Sequence, residues 1–340
     1  MKLIKTEDAV GHVLCHDMTQ IIKDEFKGAR FRKGHIVTEE DIPVLLSMGK
    51  ENLYVYEVTP GMVHENDAAE RLLALCGIEN MSRSDTKEGK IELKAAIDGL
   101  FLVDTQRLMA VNSQDEVMIA TRKGGTAVKK GDKLAGMRVI PLIIEEEKLR
   151  KAEEAAGGEP LLYLKPYVRK TACIIATGSE VKKGLIKDTF TPVVIEKLDR
   201  MGVKTLETAY SGDGIENVRD MILAMKEKHH PDMILCTGGM SVDPDDTTPG
   251  GIKAAGANIV TYGAPVLPGA MFLLGYFEDG MPIMGLPGCV MYSKATVFDL
   301  ILPKVVADVK VTKADISALG EGGLCLGCGE CRYPVCPFGK

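Results

Sequence analysis

The sequence lacks three features that would each point to a class of protein. It contains no apolar run of about 18 residues, so it predicts no membrane-spanning helix. Its first residues lack the apolar core of a secretory signal, and we therefore expect a cytoplasmic protein. It also lacks a basic excess, because 42 lysines and arginines stand against 48 aspartates and glutamates, a net charge of −6. A mildly acidic chain is not typical of a general nucleic-acid binder, and we expect neither nucleic acid nor a membrane as a partner.

Cysteine is sparse over most of the chain and concentrated near residue 330. Five of the nine cysteines are scattered, which is typical of small buried hydrophobic residues in a reducing compartment. The other four form the run C-x2-C-x2-C-x4-C-P, made by Cys325, Cys328, Cys331 and Cys336. This run resembles the bacterial ferredoxin run, with one extra residue in the last interval. Four thiolates can hold a [4Fe–4S] cluster or a structural Zn²⁺. The spacing favours the cluster and leaves zinc open.

Length and composition predict a globular chain of several domains. At roughly 150 residues per domain, 340 residues correspond to two or three domains. The content of 45% hydrophobic and 26% charged residues excludes a mostly disordered chain. Element order and composition divide the chain into four segments. They are a small β-rich unit (1–58), an α+β unit with a charged helical linker (59–165), an α/β domain (166–312) and a Cys-rich metal-binding tail (313–340).

The third segment alternates strand and helix patterns. CIIAT (173–177) and MILCTG (233–238) are continuous apolar runs, as strands buried on both faces require. Further strands are predicted at 258–262 and 282–286. Helices are predicted from Thr191-Pro192, near 249–256 and over 290–302. This alternation predicts a doubly wound, three-layer α/β sheet, preceded by smaller β-rich α+β units.

Three glycine-containing loops follow predicted strands of this sheet. Ligands of open α/β sheets bind at the carboxyl ends of the strands, and glycine there lets backbone N–H groups approach a phosphate. The predicted ligand-binding residues are Thr177, Gly178 and Ser179 in the first loop, Thr237, Gly238, Gly239 and Ser241 in the second, and Gly285, Pro287 and Gly288 in the third.

Acidic residues accompany these loops. Asp246 closes the acidic run that begins at Asp243 and includes Asp245, Asp188 precedes a predicted helix, and Asp213 lies in a glycine turn. Carboxylates beside a phosphate-binding loop can hold Mg²⁺, and we assign this role and a catalytic one to Asp246 and Asp188. Asp213 is a candidate ligand-binding residue, for which a helix N-cap is the alternative.

The stretch TGGMSVDPDDTTPGG (237–251) resembles the signature of the molybdopterin-binding domain shared by molybdopterin adenylyltransferases and molybdopterin molybdenumtransferases. Asp188 lies four residues before Pro192, as in the adenylyltransferase pattern D-x-x-x-P. GLPGC (285–289) is similar to the GLPG turn of the molybdenumtransferases, which usually continues Asn-Pro where this chain has Cys289-Val290. The C-terminal β-barrel domain usual in that family has the Cys-rich segment in its place.

The resemblance implies an enzyme of molybdenum cofactor biosynthesis, a transferase that binds adenylylated molybdopterin, inserts molybdate and releases AMP. Two alternatives stay open: a Mg²⁺- and ATP-dependent molybdopterin adenylyltransferase, and a non-catalytic protein that binds or senses molybdopterin. The resemblance further implies molybdopterin, AMP or ATP, and molybdate as ligands, and self-association into a homo-oligomer.

Overall fold

The computed structural model describes residues 2–22, 25–55, 60–244 and 246–340. By its internal contacts the chain forms two compact units. Unit 1 comprises Met1–Ala96, Leu102–Gly124 and Lys130–Leu164, and unit 2 comprises Ile97–Phe101, Gly125–Lys129 and Lys165–Lys340. The sequence predicts four segments on other grounds, and those boundaries stay predictions. No helix in the described part of the chain is long and apolar enough to cross a membrane.

Before residue 167, the described part of the chain contains short strands, a 3₁₀ turn (Thr6–Asp8) and four α-helices. The strands are β1 (Lys2–Lys5), β2 (Met18–Ile22), β3 (Phe26–Phe31), β4 (Asn52–Val55), β5 (Met62–His64), β6 (Met81–Arg83), β7 (Ile91–Ala95), β8 (Gly99–Val103), β9 (Val117–Thr121), β10 (Thr126–Val128), β11 (Lys133–Val139), β12 (Ile143–Glu145) and β13 (Leu162–Pro166). The helices are α1 (Asp41–Ser47), α2 (Glu65–Cys76), α3 (Thr105–Asn112) and α4 (Glu146–Ala156). In unit 1, β7 and β11 are the central strands of a four-stranded sheet in the order β6-β7-β11-β9.

Unit 2 contains the α/β domain. Its strands are β14 (Thr171–Thr177), β15 (Lys204–Ser211), β16 (Met233–Thr237), β17 (Asn258–Tyr262), β18 (Leu273–Tyr276) and β19 (Pro282–Leu286). Its helices are α5 (Ser179–Lys182), α6 (Phe190–Asp199), α7 (Ile215–His229), α8 (Thr248–Ala254), α9 (Val297–Val306) and α10 (Lys313–Ala318). The sheet order is β15-β14-β16-β19-β18-β17. The first four strands are parallel, and β18 runs antiparallel to both of its neighbours.

The central strands are covered on both faces. Cys173 and Ile175 of β14 pack in one cluster with Val218 of α7. Ile174 and Leu235, which point to the opposite face, are also fully buried. This explains the continuous apolar runs in the sequence, and it confirms the predicted α/β class.

Two helix predictions in this domain need correction. The predicted helix has Pro192 as its first helical residue, but α6 begins two residues earlier, at Phe190. It does so because Asp188 accepts hydrogen bonds from the backbone N–H groups of Phe190 and Thr191. The single helix predicted over 290–302 is wrong. A 3₁₀ turn (Gly288–Met291) is followed by α9, which starts after Thr296 because Thr296 and Asp299 form a capping box.

Candidate functional site

The carboxyl ends of the four parallel strands lie side by side. The register pairs Thr177 with Ser211, Ala176 with Thr237, and Thr237 with Leu286. The loops that follow β14, β15, β16 and β19 therefore leave the sheet at one edge. This is the edge at which ligands of open α/β sheets bind.

The β14 loop is joined to the turn that follows β15. Gly178 has φ +133°, and its N–H donates to the Ser211 carbonyl at 3.2 Å. The Ser179 N–H donates to Asp213 Oδ2, also at 3.2 Å. The structure therefore brings Gly178, Ser179 and Asp213 together. It gives the Asp213 carboxylate a backbone partner in α5, not in the helix α7 that follows it.

Two buried threonine hydroxyls connect the β14 and β16 loops. Thr177 Oγ1 lies 3.0 Å from the Thr237 carbonyl and 2.9 Å from Thr248 Oγ1. Thr248 Oγ1 is 2.9 Å from the Gly238 carbonyl. Each hydroxyl has one proton to donate, so two protons serve three contacts. Thr248 was not among the predicted site residues, although it belongs to the TTPGG end of the signature.

Gly238 and Gly239 have no space for a side chain. Gly238 has φ +82°, and a Cβ atom there would lie 2.3 Å from the Thr177 carbonyl oxygen. Gly239 has φ +57°, and its Cβ would lie 2.6 Å from Thr248 Oγ1. L-amino acids with side chains rarely adopt these backbone angles. The loop itself therefore requires both glycines, whatever it binds.

Asp246 links the two halves of the β16 loop (residues 238–247) by a hydrogen bond. Asp246 Oδ2 accepts a hydrogen bond from the Ser241 N–H at 2.7 Å, so this predicted phosphate donor is used within the loop. The Tyr262 hydroxyl donates to the Met240 carbonyl at 3.0 Å, and sequence reasoning missed this contact. Burial and, to a smaller extent, the Asp246 charge raise the pKa of Tyr262. Asp245 lies outside the described residues.

Asp188 has one oxygen in a helix cap and one without a partner. Its Oδ1 accepts the N–H groups of Phe190 and Thr191, both at 3.0 Å. Its Oδ2 and Thr191 Oγ1 are buried and find no hydrogen-bond partner among the described residues. A buried carboxylate oxygen without a donor is costly unless something else pairs with it, and a hard cation is a suitable partner.

Among the described residues, the predicted acidic side chains do not form a larger metal centre. In the described ranges, no three histidine, cysteine, aspartate or glutamate side chains gather in a group that could hold an ion. Binding of Mg²⁺ by Asp188 and Asp246 stays a prediction.

The β19 turn (residues 287–291) differs from the β16 loop. Pro287 is extended, and Gly288 starts a 3₁₀ turn without a positive φ. A Cβ atom on Gly288 would meet nothing within 4 Å among the described residues. By contrast, a Cβ on Gly285 would lie 2.6 Å from the Met240 sulfur. A Cβ on Gly285 would therefore be crowded by the flexible end of the Met240 side chain and by Leu273 Cβ at 3.2 Å, whereas neither packing nor backbone angle explains Gly288.

The four clustered cysteines lie together at one place. None is in a disulfide; Cys328 and Cys331 are exposed, and Cys325 and Cys336 are half-buried. All four line a single cavity of about 300 Å³ in unit 2. The four cysteines of the predicted set therefore line the same cavity.

Comparison with known protein families gives two matches. Residues 3–57 match a domain of unknown function (DUF8806). Residues 173–307 match the family described as "Probable molybdopterin binding domain". The second match covers β14 to α9 and includes all the glycine loops at the carboxyl edge.

Several curated relatives are similar to parts of the chain. A molybdopterin molybdenumtransferase of Staphylococcus aureus is 26% identical over 125 residues, 35% of this chain and 29% of the relative. A CinA-like protein of Pseudothermotoga lettingae is 33% identical over 79 residues, 23% of this chain and 19% of the relative. A probable FAD synthase of Caenorhabditis briggsae is 30% identical over 83 residues, 24% of this chain and 16% of the relative. The chain thus spans less than a third of each of these relatives.

Solved structures show partial similarity. The molybdopterin biosynthesis enzyme MoaB of Thermus thermophilus is 17% identical, with a TM-score of 0.35, over 40% of this chain and 91% of that one. The Mog protein of Mycobacterium ulcerans is 26% identical, with a TM-score of 0.33, over 41% of this chain and 93% of that one. The family match over residues 173–307, less than half of the chain, confirms the predicted resemblance of this domain to the molybdopterin-binding domain family.

Proposed function

We propose that this chain binds adenylylated molybdopterin at the carboxyl edge of β14, β16 and β19, and inserts molybdate with release of AMP. The observation that carries the proposal is Gly288. It lies at this edge within the matched domain, its backbone does not require glycine, and the space beside it is open. A glycine that the fold does not require is suited to close approach of a ligand.

The side chains at the edge suit phosphoryl chemistry. Hydroxyl groups of Ser179 and Ser241 follow strand ends and can donate to phosphate oxygens. Asp188, with its unpaired buried oxygen, and Asp246 would hold Mg²⁺, which supplies positive charge against the phosphates. Cleavage of the phosphoanhydride by water adds a hydroxyl to one phosphorus and a proton to the departing phosphate. Such reactions depend mainly on positioning and charge neutralisation.

A specific observation favours a second candidate function, molybdopterin binding without turnover. The Asp246 carboxylate already accepts the Ser241 N–H, as a purely structural loop carboxylate would. If this is its whole role, Asp188 alone would have to hold Mg²⁺, and the edge would bind the pterin without catalysing the reaction. Molybdopterin adenylylation, the other alternative, uses the same edge with ATP as the co-substrate.

Two reaction mixtures separate these functions. Purified protein is incubated with adenylylated molybdopterin, molybdate and Mg²⁺ in one, and with molybdopterin, ATP and Mg²⁺ in the other. We expect AMP release in the first mixture and no adenylylated product in the second. Product in the second mixture would establish adenylylation, and tight binding without product in either would establish a binding protein.

The variant Asp246→Asn tests the role of the charge. An amide oxygen can still accept the Ser241 N–H, so the loop contact is kept while the negative charge is lost. We expect AMP release to fall by about 100-fold or more, because the carboxylate that would hold Mg²⁺ against the phosphates is lost, and removal of one such electrostatic group typically has effects of this size. Asp243→Asn in the same loop is the matched control and should keep activity. Full activity of Asp246→Asn would leave this residue with only the structural role.

A further inference from the structure

The segment that carries the four clustered cysteines (residues 322–340, the cysteine tail) is fixed at both of its ends. Leu267 exchanges two backbone hydrogen bonds with it, one with the Gly323 carbonyl and one with the Cys325 N–H, both at 2.8 Å. The Gly339 N–H donates to the Gly322 carbonyl at 2.9 Å. The tail is thus a closed loop attached to unit 2.

One hydrogen bond and several apolar contacts hold one side of this loop against α9. The Tyr333 hydroxyl donates to the Asp299 carbonyl at 3.0 Å, and the buried Phe338 ring packs edge-on to the Tyr333 ring with centroids 6.1 Å apart. Gly339 lies so close to Leu300 that a Cβ atom would be 2.4 Å from Leu300 Cδ2. A segment rich in glycine and cysteine is therefore ordered by a few contacts, and among the contacts named here no cysteine side chain takes part.

All four cysteines face the cavity of about 300 Å³ described above. Its remaining wall is mainly apolar, with Pro268, Ala295, Leu326, Pro337 and Phe338 among the lining residues. Two cationic residues, Lys294 and Arg332, also line it. An apolar pocket with several thiols and two cations suits a group that carries net negative charge when thiolates bind it.

The geometry points to an iron–sulfur cluster in this cavity, and we propose that the tail holds one [4Fe–4S] cluster through Cys325, Cys328, Cys331 and Cys336. A zinc ion would draw all four sulfur atoms to about 2.3 Å from one point. The four cysteines line a cavity of about 300 Å³, which leaves space for a core of several atoms. The spacing of the first three cysteines matches the cluster-binding run.

This proposal does not depend on the proposed function, since the cysteines are outside the matched domain. The test uses the full chain, purified without oxygen or reconstituted with ferrous iron and sulfide. We expect about four iron and four sulfide ions per chain, and a broad visible absorption that bleaches on one-electron reduction by dithionite. Stoichiometric zinc in place of iron would overturn the proposal, and so would colourless protein after reconstitution.

Two variants make the assignment specific. Cys331 is exposed, so Cys331→Ser should leave folding intact and lower bound iron by at least about half, since one of four ligands is lost. Cys289→Ser, a change at a half-buried cysteine outside the tail, is the matched control and should retain all the iron. Unchanged iron in Cys331→Ser, with circular dichroism equal to the parent, would exclude this cysteine as a ligand.

Thiol labelling gives a readout independent of colour. Burial raises the pKa of Cys236 to about 12, so this thiol should react slowly with iodoacetamide in every state. Without iron, the exposed Cys328 and Cys331 should react first. With iron bound, we expect their labelling to fall at least about tenfold, because coordinated thiolates are not free nucleophiles. Equal labelling in the two states would contradict the proposal.

Discussion

The β16 loop and the β19 turn leave the same edge of the same sheet, yet their glycines differ in backbone angle and in the space beside them. In the β16 loop, Gly238 and Gly239 have positive φ and lie against Thr177 and Thr248, so the fold requires them. In the β19 turn, Gly288 has neither constraint. A glycine-rich pattern in a sequence therefore does not distinguish a loop whose backbone path requires glycine from a turn in which neither backbone angle nor packing requires it.

The largest expected effect is on the β16 side of this comparison. Gly238→Ala places a Cβ atom 2.3 Å from a backbone oxygen at φ +82°. We expect a loss of unfolding free energy on the order of 3 kcal/mol or more, because both backbone strain and a clash oppose the native loop. Urea unfolding followed by circular dichroism measures it. A loss under about 1 kcal/mol would show that the loop adapts and that Gly238 resembles Gly288.

Removal of the shared hydroxyl should have the next largest effect. Thr248→Val keeps the side-chain shape and removes the hydroxyl that contacts Thr177 and the Gly238 carbonyl. We expect a loss of about 1–3 kcal/mol, since buried polar groups are left without a partner. Thr248→Ser retains the hydroxyl and is the control. If Val and Ser variants unfold at the same urea concentration, the hydroxyl contacts do not stabilise the loop.

The Asp246 contact should contribute less to the unfolding free energy than the Thr248 hydroxyl does, because the Asp246 side chain is only half-buried. Asp246→Ala removes the acceptor of the Ser241 N–H, and we expect a loss of about 1 kcal/mol. Asp246→Asn retains an acceptor and should unfold within about 0.5 kcal/mol of the parent protein. Equal destabilisation by Ala and Asn would mean that the negative charge, and not the hydrogen bond, holds the loop.

The smallest effect on stability, and the most informative one for binding, belongs to Gly288. Gly288→Ala should change the unfolding free energy by less than about 0.5 kcal/mol, since its Cβ atom meets nothing. Affinity for molybdopterin should fall by about tenfold or more, equivalent to about 1.4 kcal/mol, if the ligand occupies that space. Calorimetric titration measures it. Unchanged affinity would show that the ligand does not bind beside Gly288 in the β19 turn.

The sequence predicts the α/β class and the molybdopterin-binding resemblance, and both are confirmed. Buried strands are recognisable because β14, β16 and β19 are short, mainly apolar runs with a glycine within or directly after their last residues. The short strand β18 (Leu273–Tyr276) was missed, since four apolar residues before a turn have no period of their own. The start of α9 depends on a Thr296–Asp299 capping box inside a run that otherwise continues.

Site residues that act through distant partners were harder to predict. The loops at the carboxyl edge follow from strand order, but the contacts of Thr248 with Thr177 and of Tyr262 with Met240 join residues far apart in sequence. The helix-capping contacts of Asp188 are local, whereas its unpaired oxygen depends on packing that the sequence does not show. Sequence patterns thus indicate where the edge lies and leave the internal hydrogen bonding of the edge to the structure.

The hydroxyl pair of Thr177 and Thr248 has a consequence for how the edge could meet a ligand. With two protons and three contacts, the pair has three proton arrangements, each of which leaves one contact without a hydrogen. In one of them the Gly238 carbonyl receives no hydrogen from Thr248. Rotation of the two hydroxyl groups about their C–O bonds is enough to change between these arrangements. The hydrogen bonding of the loop can therefore change without movement of a heavy atom.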